Sequence, residues 1–563
     1  MNYKKLNIVV GWFTFLVAAI TYLLTMEPTA SFWDCGEFIT TAFKLEVGHP
    51  PGAPLFMIIG RFFTLFAGPH KAAVMMNILS VLASAFTILF LFWSITHLTK
   101  RLITKNEEPS LGETIAILGS GLIGGLAYTF SDTFWFSAVE AEVYGTSSFF
   151  TAIVFWAILK WENCADEKNS NRWLILICYL AGLSIGVHLL NLLAIPAIAF
   201  IYYYKRHNNS VTKKGLFWTF IISSGILGFI LYGIIPGVIK IAALFERIFI
   251  NGLGMPINSG LIFYIIALIA LFVWGINYTH KKGKVILNTL IVGITVIIIG
   301  FSTYAIVPIR AAADTPMNQN TPDNAFALLS YLNREQYGDR PLFYGQQYST
   351  PTDRKESSTE DKKEYRIKNG KYVVTNTRYK ANYVDQFCTF FPRMWSKTDP
   401  KHEEAYIEWG KVKGTKSVYE GETVVMPTFA ENLRFFFRYQ INFMYTRYFM
   451  WNFVGRQNDI QGHGNVTDGN WISGIKFIDQ IRLGNQDNLP RKYADNPGRN
   501  TYFFLPLILG ILGILFQYRS GKQGKRDLWV VSLLFLMTGL AIVVYLNQAP
   551  FQPRERDYAY AGS

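Results

Sequence analysis

The chain has 563 residues, of which 51% are hydrophobic, 16% aromatic and only 16% charged. A soluble protein of this length carries more charge and divides into domains. Repeated apolar runs near bilayer-spanning length point instead to a polytopic α-helical membrane protein. The net charge of +14 is not a nucleic-acid signature, because the basic residues cluster in short loops between apolar runs, where topology accounts for them. Cys35, Cys164, Cys178 and Cys388 form no CxxC pair, so neither a disulfide framework nor a zinc site is implied.

Lys4 and Lys5 precede an apolar run from Ile8 to Leu24. No convincing small-x-small cleavage site follows it, so it reads as an uncleaved first span with the N-terminus inside. Further spans are expected at 74–98, 114–131, 146–161, 215–239, 260–278, 285–307, 500–518 and 528–547. Lys100, Arg101 and Lys105 follow the second span, and Lys168 and Arg172 the fourth. Lys205, Arg206, Lys213 and Lys214 precede 215, Lys281, Lys282 and Lys284 form another basic loop, and Arg519, Lys522, Lys525 and Arg526 form the last. These loops are inside by the positive-inside rule. Loops 26–53 and 132–145 hold one basic residue between them, Lys44, and face outward.

That alternation constrains 173–204, which has basic loops at both ends. Its 32 residues are too few for two ordinary spans of about 20 residues each. One long tilted helix would invert every later loop. Two short helices meeting near His188 and Asn191, with the turn shielded by neighbours, keep the parity and make eleven spans.

The chain then divides into a transmembrane core, 1–310, with an outward first loop, 26–73. Residues 311–499 form a periplasmic region, and 500–563 supply two further spans and an outward C-terminal segment. Within 351–380, Asn369-Gly370 separates YRIK from KYVVT, which predicts a hairpin. Residues 432–454, NLRFFFRYQINFMYTRYFMWNFV, are aromatic but carry Arg434, Arg438 and Arg447. A span there would break the parity, so an interfacial helix on the outer leaflet is predicted.

The first outward loop reads FWDCGEFITTAFKLEVGHPPGAPLF from Phe32 to Phe56. On a helix, Asp34 and Glu37 share one face. Pro50-Pro51 makes an extended corner before an amphipathic stretch, 53–67. A carboxylate held here with little water gains basicity; the spacing alone favours a pair that solvates a loop or caps a helix.

The pattern D-x-G-E-[FL], a spacer and HPPG-x-PLF resembles the first-loop signature of a membrane glycosyltransferase family, the plexin O-mannosyltransferase-like proteins, which has large bacterial members. A second match is W-x-x-A-V-x-A-E-V-Y, here Trp135 to Tyr144. The resemblance implies a GT-C architecture with the active site at the outer surface. It also implies a polyprenyl-phosphate sugar donor and a catalytic acid at Asp34, with Glu37 matching the pattern as well.

Transfer to a hydroxyl acceptor needs a base, for which Asp34 is the candidate, with Glu37 positioning base or acceptor; in-line attack inverts the anomeric centre. Glu140, Glu142 and Tyr144 of the second loop are placed near the acceptor. Glu140 and Glu142 also offer oxygen ligands to Mg²⁺ or Mn²⁺, although no metal is assigned. The donor phosphate calls for guanidinium groups, so Arg61, Arg310, Arg554 and Arg556, with His49, are expected to converge on the Asp34 loop. Each also reads as an interfacial anchor.

The expected partners are a lipid-linked sugar, membrane lipid and an exported protein or glycan acceptor, with no nucleic acid. The expected location is a bacterial inner membrane, with the site facing the periplasm. A transporter or flippase would keep ionisable residues near the midplane, and a non-catalytic scaffold would use 311–499 for binding. The family's bacterial members usually continue past the point corresponding to Ser563, so a truncated product is expected.

Overall fold

The computed structural model describes residues 2–104, 108–208 and 210–563; Lys105 of the second basic loop lies outside them. Among the described residues eight helices are long and apolar enough to cross a membrane. They are Tyr3–Thr25, Pro69–Ile103, Leu111–Thr129, Val143–Cys164, Lys213–Gly252, Ser259–Lys281, Val285–Ala312 and Gly521–Leu546. The first shows how such a helix faces two ways. Ile8, Trp12, Leu16, Ile20 and Leu24 are exposed at i, i+4 spacing, whereas Phe15, Ala18, Ala19 and Tyr22 are buried. A soluble helix would have its exposed stripe polar, so this stripe fits lipid.

The other three of the eleven expected runs are shorter. The 173–204 stretch is broken into helices Asn171–Ile185 and Ile195–Arg206, joined by a 3-10 turn, Leu189–Ala194, for which His188 is the N-cap. The expected span 500–518 is a helix of 15 residues, Leu505–Arg519, against the roughly 20 that a span needs.

Glycine lets these helices approach closely. A Cβ at Gly182 would meet the backbone of Ile297, and one at Gly300 the backbone of Leu183 and Gly182. Between helices in lipid the hydrophobic effect is weak, and small residues gain van der Waals contact instead.

Beyond residue 311 the chain leaves the bundle but stays tied to the first loop. Val47 donates its amide to Met317 O at 3.0 Å and accepts from the Gln319 amide at 3.1 Å. The hairpin predicted around Asn369-Gly370 pairs Ser358–Lys368 with Lys371–Ala381. Both turn residues have positive φ, 51° and 72°, as a tight two-residue turn requires. A second hairpin, Thr415–Tyr419 with Glu422–Met426, turns through Glu420-Gly421, a signal that sequence reading passed over.

Residues 432–454 are indeed helical, within one continuous helix from Phe429 to Phe453. Its aromatic face is buried in protein: Phe435, Tyr439, Phe443, Tyr448 and Trp451 pack into a core shared with Ile542, Val543 and Tyr560. Its arginines are likewise bonded to protein. Arg434 donates to Gly410 O at 2.9 Å and Arg438 to Trp409 O at 3.0 Å. Amphipathicity does not distinguish a lipid surface from a protein groove, and here the groove takes the apolar face.

Candidate functional site

Asp34 stands at the N-cap of the helix Cys35–Lys44, yet its side chain caps nothing. Trp33 before it has a left-handed backbone, φ 63°, which turns the chain into the helix. The freed carboxylate meets Arg554, whose Nη2 is 2.9 Å from Asp34 Oδ2. The same guanidinium places Nη1 3.3 Å from Glu142 Oε1 and stacks over the Tyr558 ring at 4.6 Å. One arginine thus joins loop 26–53, loop 132–145 and the C-terminal segment.

The second loop is buried beside it. Glu140 and Glu142 are both pushed up to about 7, chiefly by burial, with Arg554 opposing. The Cys35 thiol is raised too, by burial first and then by the two glutamates. Cys35, Glu140 and Glu142 bring their ligand atoms within 4.8 Å of one another. The donor set suits Mg²⁺ or Mn²⁺ poorly. One member is a thiol held protonated, one carboxylate is shared with a guanidinium, and these cations want an oxygen shell.

Glu37 lies in the first turn of the helix and is committed to its own loop. Its Oε1 accepts from the His49 amide at 2.6 Å and meets His49 Nδ1 at 2.8 Å, while Oε2 accepts from Gln319 at 3.3 Å. Burial pushes Glu37 up, but the bonds from His49 and Gln319 prevail and hold it below the usual carboxylate range. The Glu37 bond raises His49 in turn, against its own burial. The pair clamps the HPPG corner against the helix.

Arg61 and Arg310 are not brought to Asp34, contrary to the expected convergence. Arg61 donates Nη1 to Phe43 O at 2.5 Å. Arg310 donates to Leu45 O at 2.6 Å and Lys44 O at 3.3 Å. Both serve the carbonyls at the far end of the helix, about 15 Å from its start at 1.5 Å per residue. Unpaired carbonyls at a helix C-terminus attract cations, and the spacing of the motif could not separate that use from phosphate binding.

Arg556 does lie near. It donates Nη1 to Tyr558 Oη at 2.5 Å and its amide to Tyr448 Oη at 3.0 Å. Tyr144 packs its ring 4.4 Å from Tyr558 and 5.5 Å from His188.

Sequence reasoning missed what places Arg554. Its neighbour Glu555 is held by Arg447, by the Tyr448 hydroxyl at 2.6 Å and by the Gly462 amide at 2.8 Å. An acidic residue between two arginines in the run PRERDY was the available hint.

The fold and this site define a polytopic helical membrane protein whose first extramembrane loop presents an acid to a partly buried arginine. Residues 34–211 match the family model described as the protein O-mannosyl-transferase TMEM260 N-terminal domain, a match that begins at Asp34. Over that stretch the chain is similar to proteins described as protein O-mannosyl-transferases. Residues 338–437 match a family of unknown function, DUF8416. The protein O-mannosyl-transferase tmem260 of Dictyostelium discoideum is 25% identical over 245 residues, 41% of this chain and 27% of that protein. Mouse protein O-mannosyl-transferase TMEM260 is 23% identical over 171 residues, 30% of this chain and 22% of that one. The matched stretch therefore spans about a quarter of the length of these curated relatives. No solved structure matches the chain.

Proposed function

We propose that this protein is an inverting glycosyltransferase of the GT-C type. It moves a hexose, mannose by analogy with its relatives' names, from a polyprenyl-phosphate donor to a Ser or Thr hydroxyl of an exported protein. The reaction takes place at the periplasmic face of a bacterial inner membrane. The observation that carries the reading is the Asp34–Arg554 contact, because it sets a carboxylate from the family-matched loop beside a cation suited to phosphate.

Asp34 Oδ2 is occupied by Arg554, while Oδ1 accepts no bond from a described residue and is available to an acceptor hydroxyl. In the step, that hydroxyl gives its proton to Asp34 and its oxygen bonds to the anomeric carbon. The bond from that carbon to the phosphate oxygen breaks, and its electron pair leaves with the polyprenyl phosphate. Attack opposite the leaving group inverts the centre. Arg554 and Arg556 stand where the growing negative charge needs donors.

The test is Asp34→Asn in the purified chain, with polyprenyl-phosphate mannose and a Ser/Thr-containing acceptor peptide. A folded variant that keeps donor binding and transfers no sugar is the expected result. Normal transfer by a folded D34N protein overturns the assignment.

A further inference from the structure

Three guanidiniums beside the site serve no carboxylate. Arg340 directs Nη1 to the carbonyl of Leu546, 2.8 Å away, at the end of the last long helix. Arg556 reaches only the Tyr558 hydroxyl, and its Nε is buried with no partner among the described residues. Arg334, left-handed at φ 55°, lies over the Tyr337 ring at 4.9 Å. None of the three forms an ion pair among the described residues. The carboxylate next to Arg334, Glu335, is already taken: it accepts from Ser330 at 2.8 Å and pairs with Lys362 at 3.2 Å.

The chain brings these three to one rim. Tyr331, one turn before Arg334, donates its hydroxyl to Gly48 O at 2.7 Å, which ties that helix end to the HPPG corner. Asn547 donates to Pro341 O at 2.8 Å, which ties the Arg340 loop to the C-terminal segment. Tyr558, which holds Arg556, packs against Tyr144 next to His188. Arg334 lies within electrostatic reach of His49 and His188. Burial, and then the charges of Arg334 and Arg556, hold the Arg340 guanidinium below its ordinary value. Like charges gathered with no ion pair among the described residues favour a polyoxygen anion between them, and planar guanidiniums suit phosphate oxygens. The rim also lies at the ends of apolar helices, at Leu546 and at the break beside His188, and the end of a spanning helix falls near the headgroup layer.

We propose that Arg334 and Arg340 join Arg556 in a binding site for the phosphate of a polyprenyl-phosphate lipid, on the rim between the HPPG corner and the C-terminal segment. The lipid's identity rests on the glycosyltransferase reading; the anion site rests on the three arginines.

The test is binding rather than turnover. The full chain in lipid nanodiscs is titrated with polyprenyl phosphate, with the uncharged polyprenol and with inorganic phosphate. Arg334→Ala and Arg340→Ala are each expected to weaken polyprenyl phosphate about tenfold, with polyprenol binding unchanged and with partial recovery in the lysine variants. Unchanged binding of polyprenyl phosphate by both folded alanine variants overturns the site, as does an equal loss of polyprenol. Inorganic phosphate bound as tightly as the lipid overturns the lipid source. Failure of sugar transfer in a wild-type chain that binds the lipid in this pattern counts against the proposed function alone.

Discussion

Arg447 and Glu555 form a buried ion pair, Nη2 to Oε2 2.6 Å, with the arginine side chain 4% exposed. The pair fastens the C-terminal segment to the helix Phe429–Phe453, and the next residue along, Arg554, reaches Asp34 from there. Every charge in the arrangement is met. Arg447 also donates to Gly469 O at 2.7 Å, and Glu555 is held below the usual carboxylate range by Arg447, Tyr448 and Gly462, which outweigh its burial.

Removing one partner leaves the other buried and uncompensated. Arg447→Ala is therefore expected to cost about 3–5 kcal/mol, read as a fall in the melting temperature of the solubilised protein. Sugar transfer should fall with it, since Arg554 loses its anchor. A variant as stable as wild type would show that the segment is held elsewhere.

The buried second loop gives stability a pH dependence of definite sign. Glu140 is raised to about 7 from an ordinary value of 4.5, so the native state holds a proton that the unfolded chain has lost between those values. This contribution is fully present below about 4.5 and is lost as pH rises through about 7. Melting temperature measured from pH 5 to pH 8 should include this decline, and Glu140→Gln should flatten it. An unaltered profile in E140Q would mean that Glu140 is ionised throughout.

How much of this was legible follows the range of each signal. Asn369-Gly370 announces its turn locally, and the break at His188 falls where the basic loops on both sides predict one. Asp34 and Glu37 were legible as a motif, but their different uses were not. Glu37 answers to His49 twelve residues on, and Asp34 to an arginine 520 residues away. Residues 432–454 misled for the same reason: an aromatic stripe is visible in sequence, while its partners Ile542, Val543 and Tyr560 come from the far end of the chain.

Topology can be checked on exposed positions. Lys363 lies on the hairpin with its side chain 50% exposed, and Lys282 follows the helix Ser259–Lys281. In a cysteine-free background, Lys363→Cys should react with an impermeant maleimide in intact spheroplasts and Lys282→Cys should not. The reverse pattern would invert the proposed orientation.

The arginines at the two ends of the Cys35–Lys44 helix should separate by phenotype. Arg554 touches Asp34 and Glu142, so Arg554→Ala removes a charge-assisted contact worth about 1.5–3 kcal/mol and leaves Glu142 buried without its cation. Sugar transfer is expected to fall by at least ten- to a hundredfold. Arg554→Lys should recover part of this, because an ammonium supplies the charge but not the fork that reaches both carboxylates. Arg61 and Arg310 donate to the carbonyls of Phe43, Lys44 and Leu45, and Arg61 also lies over the Phe43 ring. Their alanine variants should lower stability by about 0.5–1.5 kcal/mol each and leave donor affinity within a factor of about two. Measuring donor binding and melting temperature on the same preparations decides it. A loss of donor affinity in R61A or R310A equal to that in R554A would place the phosphate at the wrong end of the helix for Asp34 to act on the acceptor.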